Sequence, residues 1–345
     1  MSFIKKIFGD RLHDYTMVLA LVALTIAFNI ISGGKMITSS NFQNLISGNA
    51  YVMVLAIGMM MVIVIGQIDL SVGSVAGFSG MIMALAVRDL GLAWWMGVLL
   101  SLFIGALIGA WQGFWVAKLN IPGFITTLGG MMIFRGGVIW ISKSISVPAP
   151  RELRVFGSGY LPEWGPTFTG MNNSTLLLGL IGILAFAFIQ IHKYKKSEEK
   201  EELWPIAVRI ILVTVVIGYL TWIFGTGRPG TSFPVPGVIL LILVLIYHTI
   251  TQRTTFGRHI YAVGGNKNSA ALSGVKVQRT YFLTMMNMSL LAAMAGIMFV
   301  GRSTAAGPSD GIGWELDAIA SVFIGGAAVS GGVGTVHATM VGALM

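Results

Sequence analysis

The chain has 345 residues, of which 55% are hydrophobic and only 10% charged, and its mean hydropathy is +0.82. Soluble domains carry about 25% charge, so this composition excludes an ordinary soluble fold, and with no cysteine there is no disulfide frame, thiolate metal site or thiol nucleophile. The net charge of +9 lies in short loops between apolar runs rather than on one soluble face, so membrane topology accounts for it and no nucleic-acid partner is expected.

In chain order, Lys5, Lys6 and Arg11 precede an apolar run with no small-residue cleavage site after it, which reads as a retained anchor. That run, 15–31, is the first span, long enough for a hydrocarbon core of ~30 Å. A polar interval, 32–49, follows with a short interfacial helix expected around 41–46. The second span is 50–66. Gln67 to Ser71 interrupt it, and a Gly/Ser-rich third span runs over 72–87. After the turn at Arg88 and Asp89, Trp94 and Trp95 sit like an interfacial belt and open a fourth span to about 117. Pro122 starts a fifth segment, to about 141, at a helix position that tolerates proline.

The loop 142–173 holds Pro148, Pro150, Pro162 and Pro166, which argue against a long helix there. A sixth span covers 174–191. The charge run 192–203 balances lysines against glutamates and reads as a solvated loop. A seventh span, 204–224, leads through a Gly/Pro-rich turn, 225–236, to an eighth, 237–250. The ninth is 281–300, and a tenth segment from about 316 is broken by Gly325, Gly326, Gly331 and Gly332. The expectation is an all-α, polytopic membrane helix bundle of about ten segments with broken or re-entrant helices, one transmembrane domain over 1–345. The apolar stretch 339–344 ends at Met345 without a charged stop, so a C-terminally incomplete chain is expected.

Charge gives the orientation. With the N-terminus cytoplasmic, the inner side receives Lys5, Lys6, Arg11, Lys118, Lys193, Lys195, Lys196, Lys200, Arg253, Arg258, Lys267, Lys276 and Arg279. The outer side receives Lys35, Arg88, Lys143, Arg151, Arg154, Arg228 and Arg302. That bias follows the positive-inside rule.

The loop 251–280 is the most basic interval in the second half and has no acid. Asn266 or Asn268 is a candidate N-cap, 269–272 favour helix, and Gly274 is placed to end it. A short helix with small Ala270 and Ala271 suits a groove on another protein. The residues Gly257-Arg258-His259-Ile260-Tyr261-Ala262-Val263-Gly264-Gly265-Asn266, then Ala270-Ala271-Leu272-Ser273-Gly274-Val275, resemble the coupling loop of the permeases of ATP-binding-cassette sugar importers, the ribose and xylose type. By that resemblance Gly264, Gly265, Asn266, Ser269, Ala270, Ala271, Leu272 and Gly274 couple to the ATPase. Ser269 stands where the family often has Glu, which removes any ionic contact there. The plain alternative is a solvated basic loop.

Three further stretches carry the same resemblance. Gln67-Ile68-Asp69-Leu70-Ser71-Val72-Gly73-Ser74 is similar to a Gly-Gly-Ile-Asp-Leu-Ser-Val-Gly-Ser signature, with Gly66-Gln67 departing from its double glycine. Asp69, Ser71 or Ser74 could cap the third helix, or Asp69 and Ser71 could face the translocation path. The stretch from Pro122 to Gly130, with Arg135, is a second mark, and Arg135 either snorkels outward or lines a wet path. Glu315-Leu316-Asp317, then Gly325-Gly326 and Gly331-Gly332, is a third. Asp317, Gly325 and Gly326 belong to a path if the helix is broken at mid-membrane, and the glycines otherwise serve close packing. The methionines read as packing, Trp111, Trp115 and Trp140 as interfacial or packing residues, and His248, His259 and His337 show no ligand spacing.

There is no Gly-x4-Gly-Lys-[Ser/Thr] loop, no His-Glu-x-x-His and no Gly-x-Ser-x-Gly. The chain is therefore expected not to be an enzyme and to hold no cofactor or metal, with ATP and Mg on a partner ATPase. The resemblance implies cytoplasmic ATP-binding subunits, a second permease copy, and a periplasmic or lipid-anchored sugar-binding protein, all at the bacterial inner membrane. The extra spans around the Lys/Glu run look like the xylose or multiple-sugar branch. A branched-chain amino acid permease is the alternative. An ion-coupled transporter would want carboxylates at mid-membrane, and a membrane enzyme would want clustered His or acids.

Overall fold

The computed structural model describes residues 12–166, 169–196, 203–227 and 230–345. Lys5, Lys6, Arg11, Lys200 and Arg228, counted above for orientation, lie outside the described residues, as does the run 197–202. The chain forms two compact units: 1–46 with 160–234, and 47–159 with 235–345.

The first unit holds α1 (Leu12–Ile31), the start of α2 (Ser39–Val64), α7 (Asn173–Lys196) and α8 (Leu203–Gly225). Helices α7 and α8 pack as a pair, with Gly179 set against the Thr221 side chain, and most of their apolar surface faces outward. That is the expected state of a hairpin surrounded by lipid, where an exposed leucine costs nothing. At their ends Asn172 Oδ1 accepts the Thr175 N–H at 2.9 Å, and Glu163 accepts from Asn172 Nδ2 and the Asn173 N–H, so side chains satisfy this helix start.

The second unit is built on α2, α3 (Val72–Asp89), α4 (Trp94–Lys118), α5 (Gly123–Ser142), α9 (Val235–Arg253) and α12 (Val277–Ser303). Its core is the run from Met53 to Val64 of α2 and the following Ile65, buried all round, with Met285 and Met288 of α12 and Val75 and Ala76 of α3. Small residues bring the backbones together. Gly105, Gly109 and Gly113 repeat every four residues along α4, and each meets α12 at Ser289, Met286 or Phe282. Lipid offers no hydrophobic drive for this contact, so the close van der Waals approach supplies it.

The loop after α5 is irregular, as its prolines require. It contains β1 (Val147–Pro148), paired antiparallel with β2 (Ala305–Ala306), a 3-10 turn (Arg151–Leu153) and α6 (Arg154–Ser158).

Among the described residues eight helices are long and apolar enough to cross a membrane, so the chain is a multi-pass helical membrane protein. Several boundaries differ from the sequence expectation; residues 192–196 of the charge run, for example, continue α7 instead of lying in a loop. The interfacial helix at 41–46 and the span at 50–66 are one continuous α2, because its polar residues find partners such as Ser232, whose carbonyl accepts from Gln43 Nε2 at 3.1 Å. Pro122 is the N-cap of α5 rather than its first helical residue. The tenth segment, by contrast, is broken where its glycines lead one to expect: it is two short helices, α13 (Trp314–Ile324) and α14 (Val336–Leu344), separated by 325–335. Eleven residues of α13 reach about 16 Å, half a hydrocarbon core, so neither piece spans alone.

Candidate functional site

The loop 251–280 folds into two helices, α10 (Thr255–Gly265) and α11 (Lys267–Leu272). Only the second was expected. The first carries Phe256, Ile260 and Val263 at i, i+4 and i+7, a helical stripe that periodicity alone identifies, and Ile260 and Val263 are buried. Thr254 caps it by accepting the Gly257 N–H at 3.2 Å. Of the two candidate caps for α11, Asn266 is the one used: its Oδ1 accepts the Ser269 N–H at 2.9 Å. The chain leaves α11 through Gly274 at φ +84, with the Gly274 and Val275 N–H groups returning to Ala271 and Ala270 at 3.0 Å. Ala270 is buried, Ala271 is exposed and Leu272 is 90% exposed, so α11 turns one small and one large apolar side chain away from its own protein.

Beneath this loop lies a three-way backbone junction. Gly264 at the end of α10 is packed so closely on the Val64 carbonyl at the end of α2 that no Cβ fits between them. The same carbonyl accepts the Gly332 N–H at 2.7 Å. Tyr261 adds a second tie by donating its hydroxyl to the Gly334 carbonyl at 2.7 Å. Helix α10 is thereby fastened to the break between α13 and α14. Gly265 is exposed and meets Gly332 backbone to backbone.

The Asp69 motif sits deeper. Ser71 is the N-cap of α3 but makes no side-chain cap bond. Asp69 Oδ1 instead accepts from the Ser71 N–H and the Ser71 hydroxyl, both at 2.7 Å. Gln112 Nε2 of α4 donates to Ser71 Oγ at 2.7 Å, and Ser289 Oγ of α12 reaches Gln112 Oε1 at 3.4 Å. Asp69 and Ser71 are fully buried, and they organise a turn through a polar chain joining three helices. One Asp69 oxygen has no partner.

Arg135 of α5 meets Glu315 Oε1 of α13 at 3.5 Å. The sequence pattern points to Asp317 as a path residue and does not single out Glu315 as a partner. Asp317 lies on the exposed face of α13 with Leu316. Glu315 is 7% exposed and its second oxygen, unpartnered, is aimed at Gly73 at the start of α3. That position at a helix N-terminus suits a carboxylate, and since the two residues are 180 apart no spacing rule could have joined them to Arg135. Gly325, buried against Ala338, ends α13, and Gly326 follows at φ +83. His248 and His337, scattered in sequence, bring their rings to 4.5 Å, but no group of three metal-ligating side chains occurs among the described residues.

The sequence model of the family described as "Branched-chain amino acid transport system / permease component" matches residues 41–345. The chain belongs to this permease family. Among curated proteins the permease is 33% identical over 97% of its length to the xylose transport system permease protein of Escherichia coli K12, covering 84% of that chain. It is 32% identical over 99% of its length to the protein of the same description from Haemophilus influenzae, covering 89% of that chain. Against the ribose import permease protein of E. coli K12 the figures are 30%, 94% and 82%. No solved structure matches the permease.

Proposed function

We propose that the chain is the membrane-spanning subunit of an ATP-driven sugar importer, with xylose as the first candidate substrate and ATP hydrolysis on a separate cytoplasmic subunit. The observation that carries this reading is α11, a capped helix with Ala271 and the 90% exposed Leu272 turned outward, fastened through α10 to the interrupted helix. Family membership and the curated xylose and ribose permeases support it.

In this reading ATP closes the ATPase pair and displaces α11. Helix α10 follows, and because Tyr261 and Gly264 hold residues 331–334, the break between α13 and α14 shifts with it. The proposed path runs past Arg135, Asp317 and Gly326, with Glu315 added as the partner of Arg135, while buried Asp69, Ser71 and Gly325 hold the backbone turns beside it. A charged side chain such as exposed Asp317 is costly against lipid, so that face of α13 is assigned to a second permease copy across a wet path. A periplasmic or lipid-anchored binding protein delivers the sugar. The N-terminus is cytoplasmic and the protein sits in the bacterial inner membrane.

The test is uptake into vesicles carrying the chain with an ATP-binding subunit and a binding protein. ATP-dependent accumulation of labelled xylose is expected. Accumulation of leucine instead would transfer the assignment to branched-chain amino acids, the substrate named in the family description. Uptake by the chain alone under a proton or sodium gradient would overturn the ATP-driven reading.

A further inference from the structure

We infer that the permease carries a binding site for one anionic phospholipid where α4 ends and α12 begins. A pocket of about 620 Å³ lies there, its apolar lining formed by Ala117, Val275, Val277 and Phe282 together with Ala271 of α11, a residue also proposed above to meet the ATP-binding subunit. Three cations line it: Lys118, Lys276 and Arg279. No acid lines it, and none of the three has an ion-pair partner among the described residues.

Two of these cations are in an unfavourable place as they stand. Lys276 is the N-cap of α12 and Arg279 is in its first turn, the positive end of the helix dipole, which has no acidic residue and no side-chain cap. The Val277 N–H is taken by the Val275 carbonyl at 2.9 Å, and a bound phosphodiester would meet the positive end of the helix dipole and neutralise the cations together.

The apolar half of the ligand has its own track. Phe103, Leu107, Trp111 and Phe114 are exposed and fall on one stripe of α4 that runs straight down to Lys118. From Leu107 to Lys118 that stripe is about 16 Å long, close to the depth of one leaflet, half of ~30 Å. An acyl chain along the stripe places its headgroup phosphate at the pocket, as in basic pockets between membrane helices generally. Free phosphate would use the cations but not the stripe, and a zwitterionic lipid would bring an ammonium among three cations. This site does not depend on which solute the permease carries.

The experiment is native mass spectrometry of the full chain in neutral detergent, titrated with dioleoylphosphatidylglycerol or dioleoylphosphatidylcholine, with glycerol phosphate as a competitor. One retained phosphatidylglycerol is expected, with weaker retention of phosphatidylcholine and no displacement by glycerol phosphate. The combined Lys118→Gln, Lys276→Gln and Arg279→Gln variant should weaken retention about tenfold or more, since each basic residue contributes at the surface, while Lys276→Arg should keep it. Helical circular dichroism checks that the variants fold, and the two-lipid comparison on the native chain decides the matter if they do not. Equal retention of the two lipids, or equal retention by the triple variant, would overturn the site. Loss of the lipid on adding the ATP-binding subunit would assign the pocket to that subunit instead.

Discussion

Asp69 shows how much a single carboxylate oxygen decides. Its Oδ1 holds both the N–H and the hydroxyl of Ser71, and its other oxygen has no partner. Asparagine keeps the first oxygen, so Asp69→Asn should retain much of the transport. Asp69→Ala strands two buried donors at about 1–3 kcal/mol each and should lose it. Uptake normalised to membrane protein separates the two, and equal failure of both variants would mean that the charge itself is needed. Tyr261 offers a cleaner probe of coupling. In Tyr261→Phe the packing stays, and the hydroxyl that donates to the Gly334 carbonyl and accepts from Gln252 Nε2 at 3.3 Å is lost. Basal ATP hydrolysis by the assembled importer should persist while its stimulation by sugar and binding protein falls. Unchanged stimulation would show that this tie transmits nothing.

At the scale of the element, the proposed docking of α11 rests on its shape. Asn266 starts it, Gly274 ends it, and what remains is one turn with an exposed Ala271 and an almost bare Leu272. Replacing Ala271 by Trp should block docking, and Leu272→Asp should remove an apolar anchor, both without disturbing insertion because the loop lies outside the spans. Gly274→Val should also weaken the contact, since a β-branched residue resists a positive φ. Co-purification of the ATP-binding subunit reads all three. Full retention by Ala271→Trp would mean that α11 is not the contact. One helix further on, Gly264→Ala would place a methyl group inside the Val64 carbonyl. Overpacking typically costs about 1–3 kcal/mol, and here backbone must move, so a lower melting temperature is expected along with poor coupling.

For the whole molecule the open variable is orientation. Eight apolar helices among the described residues are long enough for the chain to cross the membrane repeatedly, and the positive-inside rule is the argument for the proposed direction. Because the chain has no native cysteine, single substitutions report directly. Lys196→Cys and Lys267→Cys should resist an impermeant thiol reagent in intact cells, and Arg154→Cys should react. Labelling of Lys267→Cys from outside would reverse the topology and with it the side from which α11 is reached.

Sequence by itself determined the class, the spans and the loop chemistry. Long apolar runs must be helices in lipid because every backbone group has to be satisfied within the segment, which is why most predicted limits fall within a few residues of the helices found. Capping is equally local, so Gly274 could be named and the N-cap narrowed to Asn266 or Asn268 from their neighbours. Tertiary structure decided whatever depends on distance along the chain. Arg135 meets Glu315 rather than Asp317, and Val64, Gly264 and Gly332 form one junction although they belong to three separate stretches. The glycines announced close approach without saying to what, because a missing Cβ marks room for a neighbour and only packing chooses which backbone fills it.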